Sequence, residues 1–549
     1  MRILLFSAIV VCSAYCQYPD LLWTHDLLSN SYGSPACADI DKDTKLEIVF
    51  GTYFNDEAAY ALNAEDGSLL WRFAVGGGPL DAAPVIYDVD MDDSLEVIIP
   101  ASWGILFCIS ANGGEKWRYP RTGYVECIDS PPSIADLDGD GKPEIAFGAW
   151  YGKIYVLNGE DGSLVWQREY CDTGFIQSEP CILDCNGDSQ LDLVFGEWRG
   201  FHRVWAVDGS DGDVIWTYDA NKWMYPGPAA ADINLDGTIE LVTGDYSGKI
   251  FALNSVDGSL IWETEIAYYV FPPVTIAELD NSSYGLEILG AENELYCLSS
   301  EGEILWSFPT GGMIDRGAIV AEVDGDVGKE VIFGSTDYKL YVVNGEDGSL
   351  VWEFEADSGF SIESAPIASD FDGDGNIDIF FIGGRGYSDS IALNYGRAYA
   401  VSAGPGSGSG WTMYRHDQYR SGFDGGGPSL ISDNNPTMPD DFALSVFPNP
   451  FNSAVRISVC QTEMSNLRAV RQTGMSNERP MPVIEIYDLA GKIIFTVHVG
   501  ANRRFAQGQP SVDPYETVWQ PSPSVPSGVY LIRAKTGNCE TMKRVVYLK

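Results

Sequence analysis

Short apolar runs, each followed by polar turn residues, recur along most of the chain. In the first unit, the run 34–38 leads into an acidic loop, and apolar or alternating runs follow at 46–51 and 59–63. A Glu-Asp-Gly turn then leads into a fourth run that contains Trp71. Each unit therefore predicts four short antiparallel strands, and no helical period extends over a useful length.

The acidic loops set the period of this pattern. They begin 44 to 49 residues apart, at Asp39, Asp88, Asp136, Asp184, Asp232, Glu278, Glu322 and Asp370. Eight units of nearly constant length indicate a repeat architecture. Four antiparallel strands in about 45–50 residues correspond to one propeller blade.

The fourth strands show how the ring closes. Seven of them carry a tryptophan, at Trp71, Trp117, Trp166, Trp216, Trp262, Trp306 and Trp352. The eighth unit has no fourth strand, because it ends in a Gly/Ser-rich stretch at 404–410. A matching segment, 21–25, stands at the other end of the chain. We therefore predict an all-β fold in which residues 17–423 form an eight-bladed β-propeller that is closed by its N-terminal strand, which leaves no exposed sheet edge.

The acidic loops are also the clearest candidate for chemistry. Oxygen-bearing side chains at alternate loop positions, with a further acid four residues later, can surround one hard cation. The predicted ligand sets are Asp39, Asp41, Asp43 and Glu47; Asp88, Asp90, Asp92 and Glu96; Asp136, Asp138, Asp140 and Glu144; Asp184, Asn186, Asp188 and Asp192; Asp232, Asn234, Asp236 and Glu240; Glu322, Asp324, Asp326 and Glu330; and Asp370, Asp372, Asp374 and Asp378. The sixth loop, which starts at Glu278, carries an extra residue and is the weakest candidate. The alternative is that all are solvated acidic turns. Repulsion among clustered carboxylates favours several structural Ca²⁺ ions.

Composition excludes some partners. The 549 residues include 33 Lys and Arg against 79 Asp and Glu, a net charge of −46, so nucleic acid and anionic membrane surfaces are disfavoured. Residues 1–16 have the basic start, apolar run and small-residue end of a signal peptide. No later stretch is apolar for long enough to form a transmembrane helix. We therefore expect an exported protein.

Five consecutive units carry an aromatic residue between their second and third strands. These residues are Tyr53, Trp103, Trp150, Trp198 and Tyr246. Strand alternation places this turn on the face opposite the acidic loops, which it shares with the connections between blades. Aromatic side chains there suit stacking on sugar rings or binding a protein partner. Packing between blades is the alternative explanation.

Two sets of motifs resemble known repeats. The D-x-D-x-D-G-x-x-[DE] loops followed by Phe-Gly, as at Phe147 and Gly148, resemble the FG-GAP repeats of integrin-α-type propellers. The Asn-x-x-Asp-Gly-Ser-Leu-x-Trp hairpins are similar to those of eight-bladed pyrroloquinoline-quinone propellers. The first resemblance implies calcium-stabilised extracellular binding modules.

A second domain follows a loop-like linker at 424–440. Alternating runs with Pro and Gly turns predict a small β-sandwich at 441–549, with a flexible polar insert at 461–481. The segments 447–452, 484–492, 526–530 and 543–549 resemble the C-terminal sorting domain of type IX secretion substrates. That resemblance implies export across the outer membrane by such machinery, and therefore a protein that is secreted or held at the outer surface of a Gram-negative-type bacterium.

Three functions are compatible with this sequence. The first is a non-enzymatic, calcium-stabilised protein that binds an extracellular glycan or protein. The second is a quinoprotein dehydrogenase, although such enzymes typically have adjacent cysteines and the chain has no Cys-Cys. The third is a polysaccharide lyase, for which His202 near Trp198 is the histidine to test.

Overall fold

The computed structural model describes residues 19–280, 285–325, 328–406, 410 and 412–415, and the strands from Phe423 onwards that are given below. The predicted signal peptide lies outside the described residues. Contacts divide the chain into Met1–Ile431 and Ser432–Lys549, and the two units are described separately. No helix among the described residues is long and apolar enough to cross a membrane.

The first unit confirms the predicted eight-bladed β-propeller. Its blades are antiparallel sheets in which neighbouring strands follow each other in the chain. Blade 1 comprises β2 (Ala36–Ala38), β3 (Glu47–Gly51), β4 (Ala58–Asn63) and β5 (Leu69–Ala74), and blade 2 comprises β6 (Val85–Tyr87), β7 (Glu96–Ala101), β8 (Ile105–Ser110) and β9 (Glu115–Tyr119). Blade 3 comprises β10 (Ser133–Ala135), β11 (Glu144–Ala149), β12 (Lys153–Asn158) and β13 (Leu164–Glu169). Blade 4 comprises β14 (Cys181–Leu183), β15 (Asp192–Gly196), β16 (Arg203–Asp208) and β17 (Val214–Asp219). Blades 5 to 7 comprise β18 (Ala229–Ala231), β19 (Glu240–Gly244), β20 (Lys249–Asn254) and β21 (Leu260–Glu265); β22 (Thr275–Ala277), β23 (Glu287–Ala291), β24 (Glu294–Leu298) and β25 (Ile304–Pro309); and β26 (Ile319–Ala321), β27 (Glu330–Gly334), β28 (Lys339–Asn344) and β29 (Leu350–Glu355).

The eighth blade joins the two ends of the propeller, as predicted. It contains β30 (Ile367–Ser369), β31 (Ile377–Arg385) and β32 (Tyr395–Gly404), and its outer strand is β1 (Asp20–Leu27). A short 3₁₀ helix, Ser388–Leu393, lies between β31 and β32. Antiparallel pairing from Asp20 with Ser402 to Leu27 with Gly396 closes the ring.

The segment after the eighth blade returns to the axis of the ring. The short three-residue first strands of neighbouring blades contact one another around this axis. The Thr412 carbonyl accepts a hydrogen bond from the Ala368 amide in blade 8 at 3.0 Å. Arg415, which is buried, donates to the Pro228 carbonyl beside blade 5 at 2.5 Å. β33 (Phe423–Asp424) then adds a parallel strand to β18. The strand β33 therefore includes Asp424, the first residue of the predicted linker.

Apolar side chains hold each blade to the next. A core cluster joins each pair of neighbours round the ring, because the middle strands of a blade are buried on both faces. Phe50 and Phe380, whose ring centroids are 5.8 Å apart, join blades 1 and 8. This burial explains why the second and third strands have continuous apolar runs.

The fourth-strand tryptophans add a second link between blades. The Trp216 indole N–H donates to the Ser255 carbonyl of the next blade at 2.9 Å. The same bond, to the hairpin between the third and fourth strands of the next blade, recurs for Trp23, Trp71, Trp117, Trp166, Trp262 and Trp306 at 2.8–3.0 Å. Gly258 has a φ of +68°, and a Cβ there would lie 2.5 Å from the Trp216 ring, so the hairpin needs glycine. The tryptophans are thus structural.

The second unit is also all-β. One sheet contains β34 (Phe442–Phe447), β35 (Val455–Gln461) and β38 (Tyr515–Trp519). The other sheet contains β36 (Val483–Asp488), β37 (Ile493–His498), β39 (Gly528–Thr536) and β40 (Cys539–Tyr547). Two antiparallel sheets match the predicted β-sandwich. Within the predicted insert, residues 462–481 lie outside the described residues.

We predict that Trp216→Phe destabilises the propeller. The substitution leaves the buried Ser255 carbonyl without its donor, which costs about 1–3 kcal/mol of unfolding free energy. Chemical denaturation of the full chain measures this loss. Trp103→Phe is the control, because Trp103 is 54% exposed and should change the value by less than about 0.5 kcal/mol. Equal stability of the two variants would contradict the role assigned to the indole bond.

Candidate functional site

Each acidic loop connects the first and second strands of its blade and is anchored by one buried carboxylate. This acid is the fourth predicted ligand, and it lies at the start of the second strand. In the first loop, Glu47 Oε2 accepts a hydrogen bond from the Ile40 amide at 2.8 Å. The same bond occurs in the other seven loops, between Glu96 and Val89, Glu144 and Leu137, Asp192 and Cys185, Glu240 and Ile233, Glu287 and Leu279, Glu330 and Val323, and Asp378 and Phe371, at 2.7–3.2 Å.

Burial changes the protonation of these anchoring acids. Removal from water raises the pKa to about 7 for Glu47, Glu96, Glu144, Asp192, Glu240, Glu287 and Asp378. The backbone amide lowers the pKa of Glu47, but by less than burial raises it. A buried carboxylate without a positive partner favours its neutral form. At these seven positions a nearby positive charge would favour the ionised carboxylate.

The outer acids of several loops converge on the anchoring acid or on each other. Carboxylate oxygens within 4.8 Å of one another are found in the triads Asp39, Asp41 and Asp43; Asp88, Asp90 and Glu96; Asp136, Asp138 and Glu144; Glu278, Asp280 and Glu287; and Glu322, Asp324 and Glu330. The sixth loop, which we expected to be weakest, gathers its acids as the others do. Asp326, the predicted third ligand of the seventh loop, lies outside the described residues.

Two of the predicted ligands, Asp92 and Asp140, are not members of these triads. Asp92 and Asp140, the third acids of loops two and three, accept hydrogen bonds from the amides two residues on, at 2.8 and 2.9 Å. These bonds shape the turn. In the fourth loop, Asp192 Oδ1 is buried and has no hydrogen-bond partner among the described residues. All-oxygen triads and an unsatisfied buried oxygen fit a hard cation.

The second loop contains a cation of its own. Lys116 Nζ lies 2.6 Å from Asp90 and 2.8 Å from Glu96, and 3.4 Å from Asp92. Lys116 precedes the fourth-strand Trp117, where the other blades have an aliphatic residue: Leu22, Leu70, Val165, Ile215, Ile261, Leu305 and Val351. The sequence already contained this exception, but only the structure shows that the ammonium reaches the loop carboxylates.

The opposite face of the propeller carries the predicted aromatic residues. All five lie between the second and third strands of their blades, as predicted. Trp198 and Tyr246 are brought together, with ring centroids 4.6 Å apart. Trp150 instead stacks on Phe175, and its indole N–H donates to Asp129 at 3.1 Å. Trp103 stands apart from the others and is 54% exposed.

Residues from the connections between blades extend the pair Trp198 and Tyr246 into one aromatic cluster. Trp223 lies 5.5 Å from Trp198 between ring centroids, and Tyr269 lies 4.9 Å from Tyr246. Tyr225 lies 5.7 Å from Trp198 on the side toward the axis. These half-buried rings present faces and edges at the surface, so they suit flat, partly apolar ligands.

The connections also form a ring of residues that the sequence analysis did not identify as a set. Its members stand seven positions before each acidic loop: Tyr32, Asp81, Asp129, Gln177, Tyr225, Phe271, Asp315 and Glu363. Each directly precedes the segment that enters an innermost strand, so the eight positions surround one mouth of the central channel. We call them the channel-mouth ring. The period that revealed the acidic loops would have revealed this ring.

A cavity of about 320 Å³ opens at the channel-mouth ring. Its lining residues are Tyr32, Tyr53, Asp81, Tyr225, Phe271, Asp315 and Arg316. They come from blade 1 and from the connections that precede blades 1, 2, 5, 6 and 7. Cavities of this size with aromatic walls and a few charged groups are typical of small-ligand sites.

Arg316 organises the cavity. Its Nε donates to the Tyr32 carbonyl at 2.9 Å, and its Nη2 lies 3.4 Å from Asp81 Oδ1. The guanidinium carbon also lies 5.8 Å from the centre of the Tyr225 ring. Burial raises the pKa of Asp81 to about 6, although Arg316 opposes this shift. The ion pair places a donor and an acceptor beside aromatic walls.

Comparison with known proteins agrees with this architecture. Residues 22–188 and 193–269 match the PQQ_2 family model, which is described as outer membrane protein assembly factor BamB. Among solved structures, a europium-containing methanol dehydrogenase aligns with a TM-score of 0.51 and 12% identity, over 70% of this chain and 93% of that chain. Quinohemoprotein alcohol dehydrogenase ADHIIG from Pseudomonas putida HK5 aligns with a TM-score of 0.50 and 14% identity, over 71% of this chain and 77% of that chain. At these identities the likeness shows the fold alone.

A short stretch resembles a carbohydrate-active protein. Lambda-carrageenase of Pseudoalteromonas carrageenovora is 27% identical over 107 residues. The match covers 20% of this chain and 11% of the carrageenase.

The anchoring acids predict how stability depends on pH. In buffer with a chelator, the folded state holds these protons up to about pH 7, whereas the unfolded acids release them near pH 4–4.5. Unfolding then releases protons, so the melting temperature should fall as pH rises from about 4.5 to 7. Calorimetry across this range measures the effect. Glu144→Gln should make the melting temperature depend less steeply on pH than it does in the unaltered chain. A melting temperature that rises with pH would contradict this interpretation.

Proposed function

We propose that this chain is a calcium-stabilised β-propeller that binds an extracellular glycan on the face opposite its acidic loops. The observation that carries this proposal is the aromatic cluster around Trp198, which is built from two turns and two connections between blades. The short resemblance to a lambda-carrageenase supports a carbohydrate ligand. A protein ligand is the competing possibility for the same cluster.

Calcium is the ion that best suits the acidic loops. The triads offer carboxylate oxygens only, and a hard cation with many ligands satisfies several such groups at once. A divalent ion would favour the ionised form of the anchoring acids and remove the repulsion within each loop. The buried Asp192 Oδ1 would gain a partner. The role is structural, since each loop joins two strands of one blade.

The two enzymatic alternatives receive less support. Pyrroloquinoline quinone is a tricarboxylate, whereas the channel-mouth cavity offers Arg316 against Asp81 and Asp315. A cavity with two carboxylates and one guanidinium does not match the negative charge of this cofactor. For a lyase, His202 lies against Trp223, with ring centroids 6.0 Å apart, on the face away from the acidic loops. A base there would have no clustered cation beside it.

Export completes the proposal. The signal-peptide pattern at 1–16 and the sorting-domain motifs in 441–549 support secretion through type IX-like machinery. The PQQ_2-type repeats independently suit a protein of the cell envelope.

We expect the full mature chain to bind oligosaccharides on a glycan array, and Trp198→Ala to lose most of that signal. Removing Trp198 takes away the ring that contacts Trp223, Tyr225 and Tyr246. Trp103→Ala is the matched control, because Trp103 occupies the same turn of another blade outside the cluster. Binding to no glycan at all would refute the proposal. Array signals that Trp198→Ala leaves unchanged would place recognition elsewhere.

Lys116 gives a separate test of the metal proposal. Because its ammonium already neutralises Asp90 and Glu96, the second loop should bind calcium most weakly. Lys116→Leu restores the aliphatic residue of the other blades, and should raise the calcium stoichiometry by about one per chain. Isothermal titration calorimetry measures the stoichiometry. Lys339→Leu is the control, since Lys339 pairs with Glu353 at 2.6 Å, away from any acidic loop. Unchanged calcium binding in Lys116→Leu would contradict this role.

A further inference from the structure

The charge of the channel-mouth cavity restricts the glycans that it can accept. Two carboxylates, Asp81 and Asp315, line the cavity with one guanidinium, Arg316. Glu363, the next member of the channel-mouth ring, is buried and accepts a hydrogen bond from Asn30 at 3.1 Å. Arg316 is already paired with Asp81. The lining therefore has two carboxylates for one guanidinium and no excess of positive charge, and the chain as a whole has a net charge of −46.

The cavity walls offer the two kinds of contact that a sugar ring requires. Tyr225 stacks on Phe271 at 4.1 Å between ring centroids, and Tyr32 meets Tyr53 edge-on at 4.6 Å. These rings form apolar surfaces that suit the C–H faces of a sugar. The carboxylates can accept hydrogen bonds from hydroxyl groups, and bonds to charged groups are the stronger ones.

The side chains that form the cavity are held in place before any ligand arrives. Arg316 reaches from the connection before blade 7 to the Tyr32 carbonyl and to Asp81, which precede blades 1 and 2. Its side chain is only 9% exposed. A buried charged group that bridges three connections fixes the geometry of the mouth, and such preorganisation reduces the entropic cost of binding.

From these observations we infer that the channel-mouth cavity binds a terminal neutral or amino sugar and rejects sulfated and uronate-containing sugars. The inference rests on the proposed glycan-binding function and names the subsite and the chemistry of its ligand. A neutral sugar places hydroxyl groups against Asp81 and Asp315. An amino sugar adds an attractive charge, whereas a sulfate or carboxylate meets uncompensated negative charge.

The test compares neutral oligosaccharides with amino, sulfated and uronate-containing counterparts on one array, followed by calorimetry with the best neutral compound. We expect neutral or amino sugars to bind and anionic ones to give no signal. Tyr225→Leu should raise the Kd about tenfold or more, because it removes an aromatic wall. Val256→Ala should leave the Kd within about twofold, since Val256 is an exposed residue in the hairpin between the third and fourth strands of blade 5 and does not line the cavity.

Asp315→Asn gives a second test that does not depend on the aromatic walls. It keeps the size of the side chain and removes one negative charge, so anionic sugars should gain signal relative to neutral ones. Thermal melts confirm that each variant is folded. If anionic sugars bind best, or if Tyr225→Leu and Asp315→Asn both bind as the unaltered chain does, the inference is wrong although glycan binding stands. If the unaltered chain binds no sugar, the proposed function itself fails.

Discussion

The bond between a buried carboxylate and a backbone amide recurs in all eight blades, and much of the molecule follows from it. Glu47 and its equivalents accept the amide that follows the first acid of the loop, and this bond fixes the turn between the two inner strands. It also places an acid where water cannot reach it. Each blade thus has a well-defined turn, but the ionised form of its anchoring acid is disfavoured by burial. The outer acids of the loop disfavour it further, because they add negative charge nearby.

This constraint divides the propeller into two faces with different roles. On the acidic-loop face, a positive charge near the anchoring acids would offset the cost of burying them. In the second blade the Lys116 side chain provides that charge. The opposite face has no acidic loops. Its turns and connections carry the aromatic rings and the Arg316–Asp81 ion pair instead. The buried acids of the loops and the residues proposed to bind a ligand therefore lie on different faces, although both sets occupy positions that repeat with the same period.

Much of the fold could be predicted because repetition reveals it. The eight acidic loops and the fourth-strand tryptophans gave the number of blades, and the missing tryptophan strand of the last blade pointed to residues 21–25 as its partner. The direction of the side chains could not be predicted in the same way. Asp92 and Asp140 have the expected spacing and accept an amide of their own turn, but neither belongs to the triad of its loop. Lys116 and Arg316 are long side chains whose targets lie in other strands or other blades, and one sequence does not contain those distances. The channel-mouth ring was missed because its residue types vary although its spacing does not.

The closure of the ring by β1 has a consequence for the order in which the molecule can be assembled. Asp20 to Leu27 leaves the ribosome first, yet its partner strand, Tyr395–Gly404, is synthesised almost four hundred residues later. Until then the eighth blade has no outer strand, and the apolar contact between Phe50 and Phe380 cannot form. The ring therefore cannot close until Tyr395–Gly404 has been synthesised. A chain that crosses a membrane in extended form can close the ring only on the far side, because closure pairs β1 with β32 and both strands must already have crossed.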